Sequence, residues 1–402
     1  MVNTIVLILV ALMAMASSVN AAGFRLAEQD AKATGMGNSF VAVADNASAV
    51  WYTPAAITGL EGTNVSLGTV MVAPSMEHKN VNGTTDEIKN KIHIPPHFYA
   101  TRKLDENISL GFGVNAPFGL STEWDKVTAV TRKVATKSEI TSVNYNLNGA
   151  YKLNDRVSFA AGIDYAMVDA TLNSIHPAGR EILLNGDGNG MGYNAAAMYK
   201  HNDKWNFGAN YHSQVKVDLE GDLKEYYAAG NVTPVKTKLT LPDMLQFGAA
   251  YKYSEKLTFS AEADYTNWTT YRQIVIKKRL DGSTISTAVK NWKSVWAFRL
   301  GSEYKYSDTW KFRAGTFYDM NPVKEKYFET RVPDSDRVAL SVGAGYTKGS
   351  ITVDVSYMYL MFLERKIDSS IQDSALTGGT TVLDGKYNSS AHLPALTVSY
   401  KF

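Results

Sequence analysis

Trp205-Asn206-Phe207-Gly208-Ala209-Asn210-Tyr211-His212 sets apolar or aromatic residues at alternate positions, with polar or small residues between them. Ile351-Thr352-Val353-Asp354-Val355-Ser356-Tyr357 repeats the pattern. Period two means a strand with one apolar and one polar face. In a soluble sandwich the apolar face is the inner one. In a membrane barrel it meets lipid and the polar face lines a lumen. Two features favour the barrel. Short turns at 153–156, 201–204, 253–256, 306–309 and 347–350 alternate with long polar stretches at 174–190, 219–239, 277–291, 321–336 and 367–390. This is the asymmetry of outer-membrane barrels, which have short turns on the periplasmic side and long loops outside. The polar faces also carry charge in mid-strand: Glu262 with Asp264, and Lys311, Arg313 and Asp319. A dry core does not tolerate such charges, while a wet lumen does.

The expected fold is an all-β membrane protein, a 14-stranded antiparallel transmembrane barrel. Its strands are predicted at 62–76, 92–103, 107–119, 138–153, 156–173, 190–200, 204–218, 240–252, 256–276, 292–305, 309–320, 337–347, 350–366 and 391–402. An even number puts both termini on the periplasmic side. The closing run Leu396-Thr397-Val398-Ser399-Tyr400-Lys401-Phe402 alternates and ends on an aromatic carboxylate, the form of signal that barrel-assembly machinery reads. An apolar core at Ile5–Ala16 precedes small residues at Val19 and Ala21, so residues 1–21 read as a signal peptide cut after Ala21, although no Lys or Arg precedes the core. It is shorter than the ~20 residues a spanning helix needs. Residues 62–402 then form the barrel. Residues 22–61 lack the strand pattern yet hold Phe24, Leu26, Met36, Phe40, Val50 and Trp51, which suits an N-terminal luminal hatch better than a disordered tail.

The 402 residues carry a net charge of +2 and no cysteine, with 23 tyrosines and 7 tryptophans. Near-neutral charge gives no reason to expect a nucleic-acid partner. Absence of cysteine removes disulfide frameworks, thiolate metal sites and cysteine nucleophiles. Amphipathic aromatics belong where hydrocarbon meets headgroups.

Several stretches together resemble the FadL/TodX (OmpP1) family of outer-membrane transporters of hydrophobic compounds. They are Ala22-Gly23-Phe24-Arg25-Leu26, Gly35-Met36-Gly37, Ala44-Asp45-Asn46-Ala47-Ser48, Tyr52-Thr53-Pro54-Ala55-Ala56, Asp264-Tyr265-Thr266-Asn267-Trp268, Arg299-Leu300-Gly301, Trp310 through Gly315, Tyr318 through Val323, and Val332 through Arg337. The resemblance spans the mature chain. It implies a hatch inside the barrel and release of cargo through a side opening at an inward kink of the third strand. The matching stretch here is Gly113 through Gly119, with Asn115, Pro117 and Gly119 as its marks. Pro117 lacks the N–H a ladder needs, which fits a kink and equally fits a strand ending at its loop. The family's hatch commonly has Asn-Pro-Ala where this chain has Thr53-Pro54-Ala55. Thr keeps a bonding hydroxyl and loses the amide, so the turn is expected to survive.

Arg299 and Arg313 fall on the predicted lumen face, either to bind a carboxylate through paired charged hydrogen bonds or to neutralise Glu303, Asp319 or Glu262. Asn185 through Gly190 spaces oxygens like the start of a calcium loop, but Ala196 stands where the bidentate acid belongs, and such a run is also ordinary turn chemistry. His93 and His97 flank Pro95-Pro96, which bars a helix-borne metal pair. No metal or cofactor is expected. No Gly-x-Ser-x-Gly motif occurs, so catalysis is not expected. The reading is passive uptake of a hydrophobic small molecule, long-chain fatty acids foremost, with aromatic or alkane hydrocarbons as the alternative cargo. An adhesin or phage receptor is the alternative of another class, and the apolar N-terminal segment speaks against a general diffusion porin. The other expected partners are outer-membrane lipids, and the barrel is expected to be a monomer.

Overall fold

The computed structural model describes residues 23–225, 232–372 and 381–402. The expected signal peptide and its cut after Ala21 lie outside the described residues. No helix among the described residues is long and apolar enough to cross a membrane.

Fourteen strands form one closed antiparallel barrel. They are β1 (Thr63–Val70 and Ala73–Asn80), β2 (Pro96–Lys103), β3 (Ile108–Asn115 and Gly119–Glu123), β4 (Lys137–Lys152), β5 (Val157–Ile175), β6 (Glu181–Lys200) and β7 (Trp205–His212 and Val215–Glu225). Then follow β8 (Val232–Leu241 and Met244–Lys252), β9 (Leu257–Thr266 and Gln273–Lys278), β10 (Thr284–Val289 and Val295–Lys305), β11 (Trp310–Asp319), β12 (Arg337–Lys348), β13 (Ile351–Phe362) and β14 (Gly385–Lys401). Each strand pairs with the next, and β1 closes on β14 from Asn64–Lys401 to Val70–Ala395. Closure leaves no edge for lipid to meet.

Alternation sorts the side chains. In β5, Phe159, Ile163 and Tyr165 face outward while Ser158, Ala160 and Asp164 are buried inside. Outward aromatics gather at two heights. Tyr193–Tyr211 and Tyr265–Trp296, at 5.9 and 5.2 Å, mark one belt, and Trp205–Tyr251 and Trp310–Tyr346, at 4.6 and 4.9 Å, mark the other. Such belts sit where hydrocarbon meets headgroups. The short turns close below the second belt by one local device. The Asn154 and Asn202 carboxamides each accept two backbone N–H groups of the turn, and the Ser254 and Ser307 hydroxyls do the same.

The strands run further than their apolar pattern suggests. The polar stretch 174–190 contracts to a tight turn at 176–180, because β5 and β6 continue on either side of it. The run Asn185 through Gly190, expected in a loop, is instead paired strand, opposite Thr171–Ala166 of β5. Among the described residues no cluster of three or more His, Asp or Glu could hold a metal. In the same way β7 reaches Glu225, a hairpin fills most of 277–291, and β14 begins at Gly385. In the other direction, the strand expected over 256–276 breaks at 267–272. Above the lipid a strand has no apolar outer face to keep, so its period-two signal fades.

Residues 23–61 pass through the lumen. Asp30 caps the short helix Ala31–Gly35 by accepting the Ala33 N–H. The Glu262 carboxylate of β9 accepts the N–H groups of both Phe40 and Val41 at 2.8 Å. Asn148 donates to the Val50 carbonyl, Asn210 to that of Trp51, and Ser158 to that of Ala55. The segment lies directly on the wall where inward positions are glycine. A Cβ on Gly315 would come within 2.1 Å of the Met36 carbonyl carbon, and one on Gly301 within 2.6 Å of its oxygen. Gly315→Val is expected to lift residues 35–37 off β11 while leaving the outer face untouched. The protein should still show heat-modifiable migration in detergent gels, and its ion conductance in planar bilayers should rise severalfold over wild type. Unchanged conductance would show that the segment does not seal the lumen there.

Candidate functional site

The third strand departs from its ladder in one place. Asn115 pairs with Asn144 and Gly119 with Thr141, so three residues, 116–118, stand opposite two, 142 and 143. The extra residue forces the chain off the sheet, and Pro117 has no N–H to lose by it. The remaining backbone groups all find substitutes. The Gln29 side chain accepts the Ala116 N–H at 3.2 Å and donates to the Ala116 carbonyl at 3.0 Å. Leu26 N–H donates to the Pro117 carbonyl and Gly119 N–H to the Phe24 carbonyl, at 2.8 and 2.9 Å. The Ser142 hydroxyl accepts from Phe118 N–H at 3.0 Å and lies 2.6 Å from the Phe118 carbonyl. Residues 24–29 thus act as a surrogate strand for the displaced piece of β3. Asn115 is buried, with its carbonyl oxygen 3.4 Å from the Asn144 amide.

The first described residues are held at the long-loop end. Phe24 sits in an aromatic cage, its ring centroid 4.6 Å from Trp268, 5.6 Å from Tyr271, 5.8 Å from Trp292 and 6.1 Å from Phe118. Burying one such ring contributes roughly 1.5–3 kcal/mol. Gly23 has φ +65°, and a Cβ there would meet the Trp268 and Trp292 rings at 2.7 Å. Its N–H donates to Asp334 at 2.7 Å. Asp334 lies in the connection between β11 and β12. Burial pushes its carboxyl up to about 7, against the opposing pull of Arg337 and of the Gly23 and Ser335 N–H groups. At mid-lumen Arg25 meets Asp264 at 3.0 Å.

A cavity of about 660 Å³ opens beside these residues. Phe24, Leu26 and Glu28 line one side, Val114, Phe118 and Leu120 of the kinked strand another, and Leu360, Phe362 and Leu393 a third. A volume of this order and a mainly apolar wall are usual for a small-molecule site. Two arginines, Arg25 and Arg337, lie on its wall. Arg25 is held by Asp264. Arg337 pairs with Asp319 at 2.6 Å and stacks over Phe362 at 5.6 Å, while its buried Nε has no partner among the described residues.

The residues expected from sequence are placed as follows. Arg299 pairs with Asp264 at 3.0 Å and lies over Phe317. Arg313 pairs with Glu303 at 2.8 Å and Asp354 at 2.6 Å. Both face the lumen, both are neutralised, and neither lines the cavity. Asn115 and Gly119 do line it, and Pro117 lies between them. Thr53 ends the short helix Ala49–Tyr52, with its hydroxyl 2.7 Å from the Val41 carbonyl, and Pro54 opens the 3-10 turn Pro54–Gly59. The turn stands with Thr in place of Asn, at the other end of the lumen from the cavity. His93 lines the cavity, whereas His97 bonds Thr397. Sequence reasoning missed Gln29 and Ser142, whose task depends on residues 87 and 24 positions away. Asp334 and Arg337 stand within a family-like motif that by itself gave them no role.

A model of the family described as outer membrane protein transport protein (OMPP1/FadL/TodX) matches residues 12–402. A long-chain fatty acid transport protein of Salmonella typhi is 28% identical over 390 residues, covering 84% of this chain and 87% of that protein. The crystal structure of a Pseudomonas aeruginosa FadL homologue superposes with a TM-score of 0.84 at 18% identity, over 95% of this chain and 100% of the other. The Ralstonia pickettii toluene transporter TbuX gives 0.73 at 17% identity, over 93% and 98%. These structures share the barrel fold.

Two outcomes are expected from this geometry. Gln29→Leu removes both substitute bonds of Ala116. A buried group left unpaired costs about 1–3 kcal/mol, so amide exchange over 114–119 should quicken by roughly five- to 150-fold. No change there would mean that water already serves Ala116. Asp334 supplies a pH dependence. Burial in the packed state raises the Asp334 carboxyl from 3.8 to about 7, although the Gly23 N–H by itself favours the charged form. The packing around Asp334 is therefore fully favoured below pH 4 and weakens as pH rises through about 7. A spin label at Ala27→Cys, in a chain with no other cysteine, should gain mobility from pH 5 to 8. Asp334→Asn should flatten that response.

Proposed function

The chain belongs to the outer membrane protein transport family (OMPP1/FadL/TodX), and we propose that it carries hydrophobic compounds, long-chain fatty acids foremost, passively across the outer membrane and out through the barrel wall at residues 116–118. The observation that supports this most is the contiguity of the cavity with both the N-terminal residues 23–28 and the break in β3. A ligand there touches the stopper and the side exit at once. In this reading residues 23–61 are the hatch, the short turns and both chain ends face the periplasm, and the long loops face outward. Transfer of an acyl tail from water toward lipid releases about 0.8 kcal/mol per methylene, so no energy source is required. No chemical step is involved.

Fatty acids are favoured over neutral hydrocarbons by Arg337. Its guanidinium lies on the cavity wall and is held there by Asp319, where it offers a positive charge to a carboxylate. TbuX is a toluene transporter, and the same apolar wall suits a hydrocarbon as the alternative cargo. Arg299 and Arg313 serve the lumen's ion pairs in this reading.

Deleting Pro117 alone makes the registers on either side of the break coincide, because the shift between Asn115–Asn144 and Gly119–Thr141 is one residue. The deletion should continue the ladder and close the wall. Oleate uptake by cells is expected to fall about tenfold or more, while oleate binding to the purified protein stays within a few-fold, a difference of well under 1.4 kcal/mol per tenfold step. Uptake at the wild-type rate would rule out the side exit. Arg337→Met should weaken oleate binding and leave toluene binding unchanged, whereas equal losses for both would favour the hydrocarbon reading.

A further inference from the structure

The outward face of the barrel carries a second feature, away from the cavity. Beyond the upper aromatic belt, β8 and β9 pair only at Val235–Lys278 and Lys236–Lys277 before they rejoin at Met244–Thr266. Between these points the strands part. The groove left outside has a volume of about 970 Å³ and is lined by Lys236, Lys238, Arg272, Lys277, Asp218 and Glu220, with threonines between them. The two carboxylates are already engaged: Asp218 with Lys238 and Glu220 with Arg279, each at 3.0 Å. Among the described residues, Lys236, Lys277 and Arg272 make no ion pair.

Lys236 and Lys277 are direct cross-strand neighbours. Both are exposed, while Val235 and Leu239 of the same strand are buried on the inner face. Like charges placed opposite each other weaken a ladder, and here the ladder is only two residues long. An anion between the ammonium groups would turn that repulsion into a bridge.

We propose that this groove binds the phosphorylated headgroup and inner sugar region of an outer-leaflet glycolipid, with Lys236 and Lys277 clasping a phosphate, Arg272 beside them and the threonines facing sugar hydroxyls. The site rests on the orientation given above, with the long loops outside. It is separate from the cargo path, because none of its residues lines the cavity beside β3. Lysines grouped just beyond a membrane surface recognise lipid phosphates by charge, and a glycolipid carries such phosphates beside sugar hydroxyls.

The test is native mass spectrometry of the full-length protein in detergent, titrated with rough-type lipopolysaccharide, with the same glycolipid dephosphorylated by hydrofluoric acid, and with inorganic phosphate as competitor. The wild-type protein is expected to retain the phosphorylated glycolipid and to bind the dephosphorylated form roughly tenfold more weakly. Lys236→Gln with Lys277→Gln should lose affinity by a similar factor, and Arg272→Gln alone by less. Lys152→Gln with Lys252→Gln, at the short-turn end, should bind as wild type. All variants should keep heat-modifiable migration and oleate uptake. If the side exit fails its own test, this binding is still expected, since it needs only the barrel and its orientation. Equal retention of both glycolipids, or unchanged binding by the double variant, would overturn the proposal. Full displacement by millimolar inorganic phosphate would instead assign the groove to a free anion and equally overturn it.

Discussion

Hydrocarbon offers no water to a peptide group, and the rest of this structure depends on that constraint. Every N–H and carbonyl at membrane depth must find a partner inside the protein, because each one left unpaired costs several kcal/mol. Fourteen strands meet the demand by closing on themselves, Asn64 opposite Lys401. A hole in such a wall is expensive unless the groups that border it are bonded elsewhere. The break in β3 fulfils this condition. Gln29 takes both polar groups of Ala116, the backbone at Phe24 and Leu26 takes those of Pro117 and Gly119, and Ser142 takes those of Phe118. The break in the wall is tolerated because the N-terminal segment stands behind it and bonds its displaced polar groups.

The lumen obeys a related rule. Its polar face carries Asp264, Glu262, Arg299, Glu303, Arg313 and Asp354, all sheltered from bulk water. Exposed ion pairs contribute about 0–1 kcal/mol, but a buried charge stripped of its partner costs roughly 3–5 kcal/mol. The N-terminal segment supplies what the strands lack: Arg25 to Asp264, Lys32 to Glu303, and the Phe40 and Val41 N–H groups to Glu262. Charge thus fixes the segment in place more specifically than its apolar side chains could. It also explains why Arg299 and Arg313 are occupied and why a cation with a spare donor, Arg337, stands at the edge of this network, beside the cavity.

How much of this was legible in the sequence follows from the same physics. Where lipid meets the wall, as at Trp205 and Phe207 or Val353 and Val355, every second residue must be apolar, so strands could be read and counted. Above the lipid the requirement lapses. Residues 181–190 of β6 are strand without alternation, and Gly186, Gly188 and Gly190 lie so close to the β7 carbonyls that a Cβ would come within 2.1–3.0 Å of them. A glycine-rich polar run therefore looked like a loop. The break at Pro117 left a local mark, the missing N–H, but that mark did not distinguish a kink from a strand end. The deciding residue, Gln29, carries no local sign at all. Its role exists only once the fold brings position 29 to position 116.

Both pieces of β3 are paired with β4, at Asn115–Asn144 and Gly119–Thr141, so the displacement of the extra residue needs no ligand. What can move is the surrogate strand. Gln29 holds the bend through two neutral hydrogen bonds, each worth about 1 kcal/mol net. A methylene moved from water into an apolar site gains about 0.8 kcal/mol. Two or three methylenes in the cavity are thus equivalent to the grip of Gln29, and a long acyl chain has several times that number. The Phe24 cage is a larger restraint, and Phe24 lines the same cavity, so a ligand that fills it competes with the ring for the same apolar walls. For an apolar ligand in this cavity, length more than charge is then what loosens the segment.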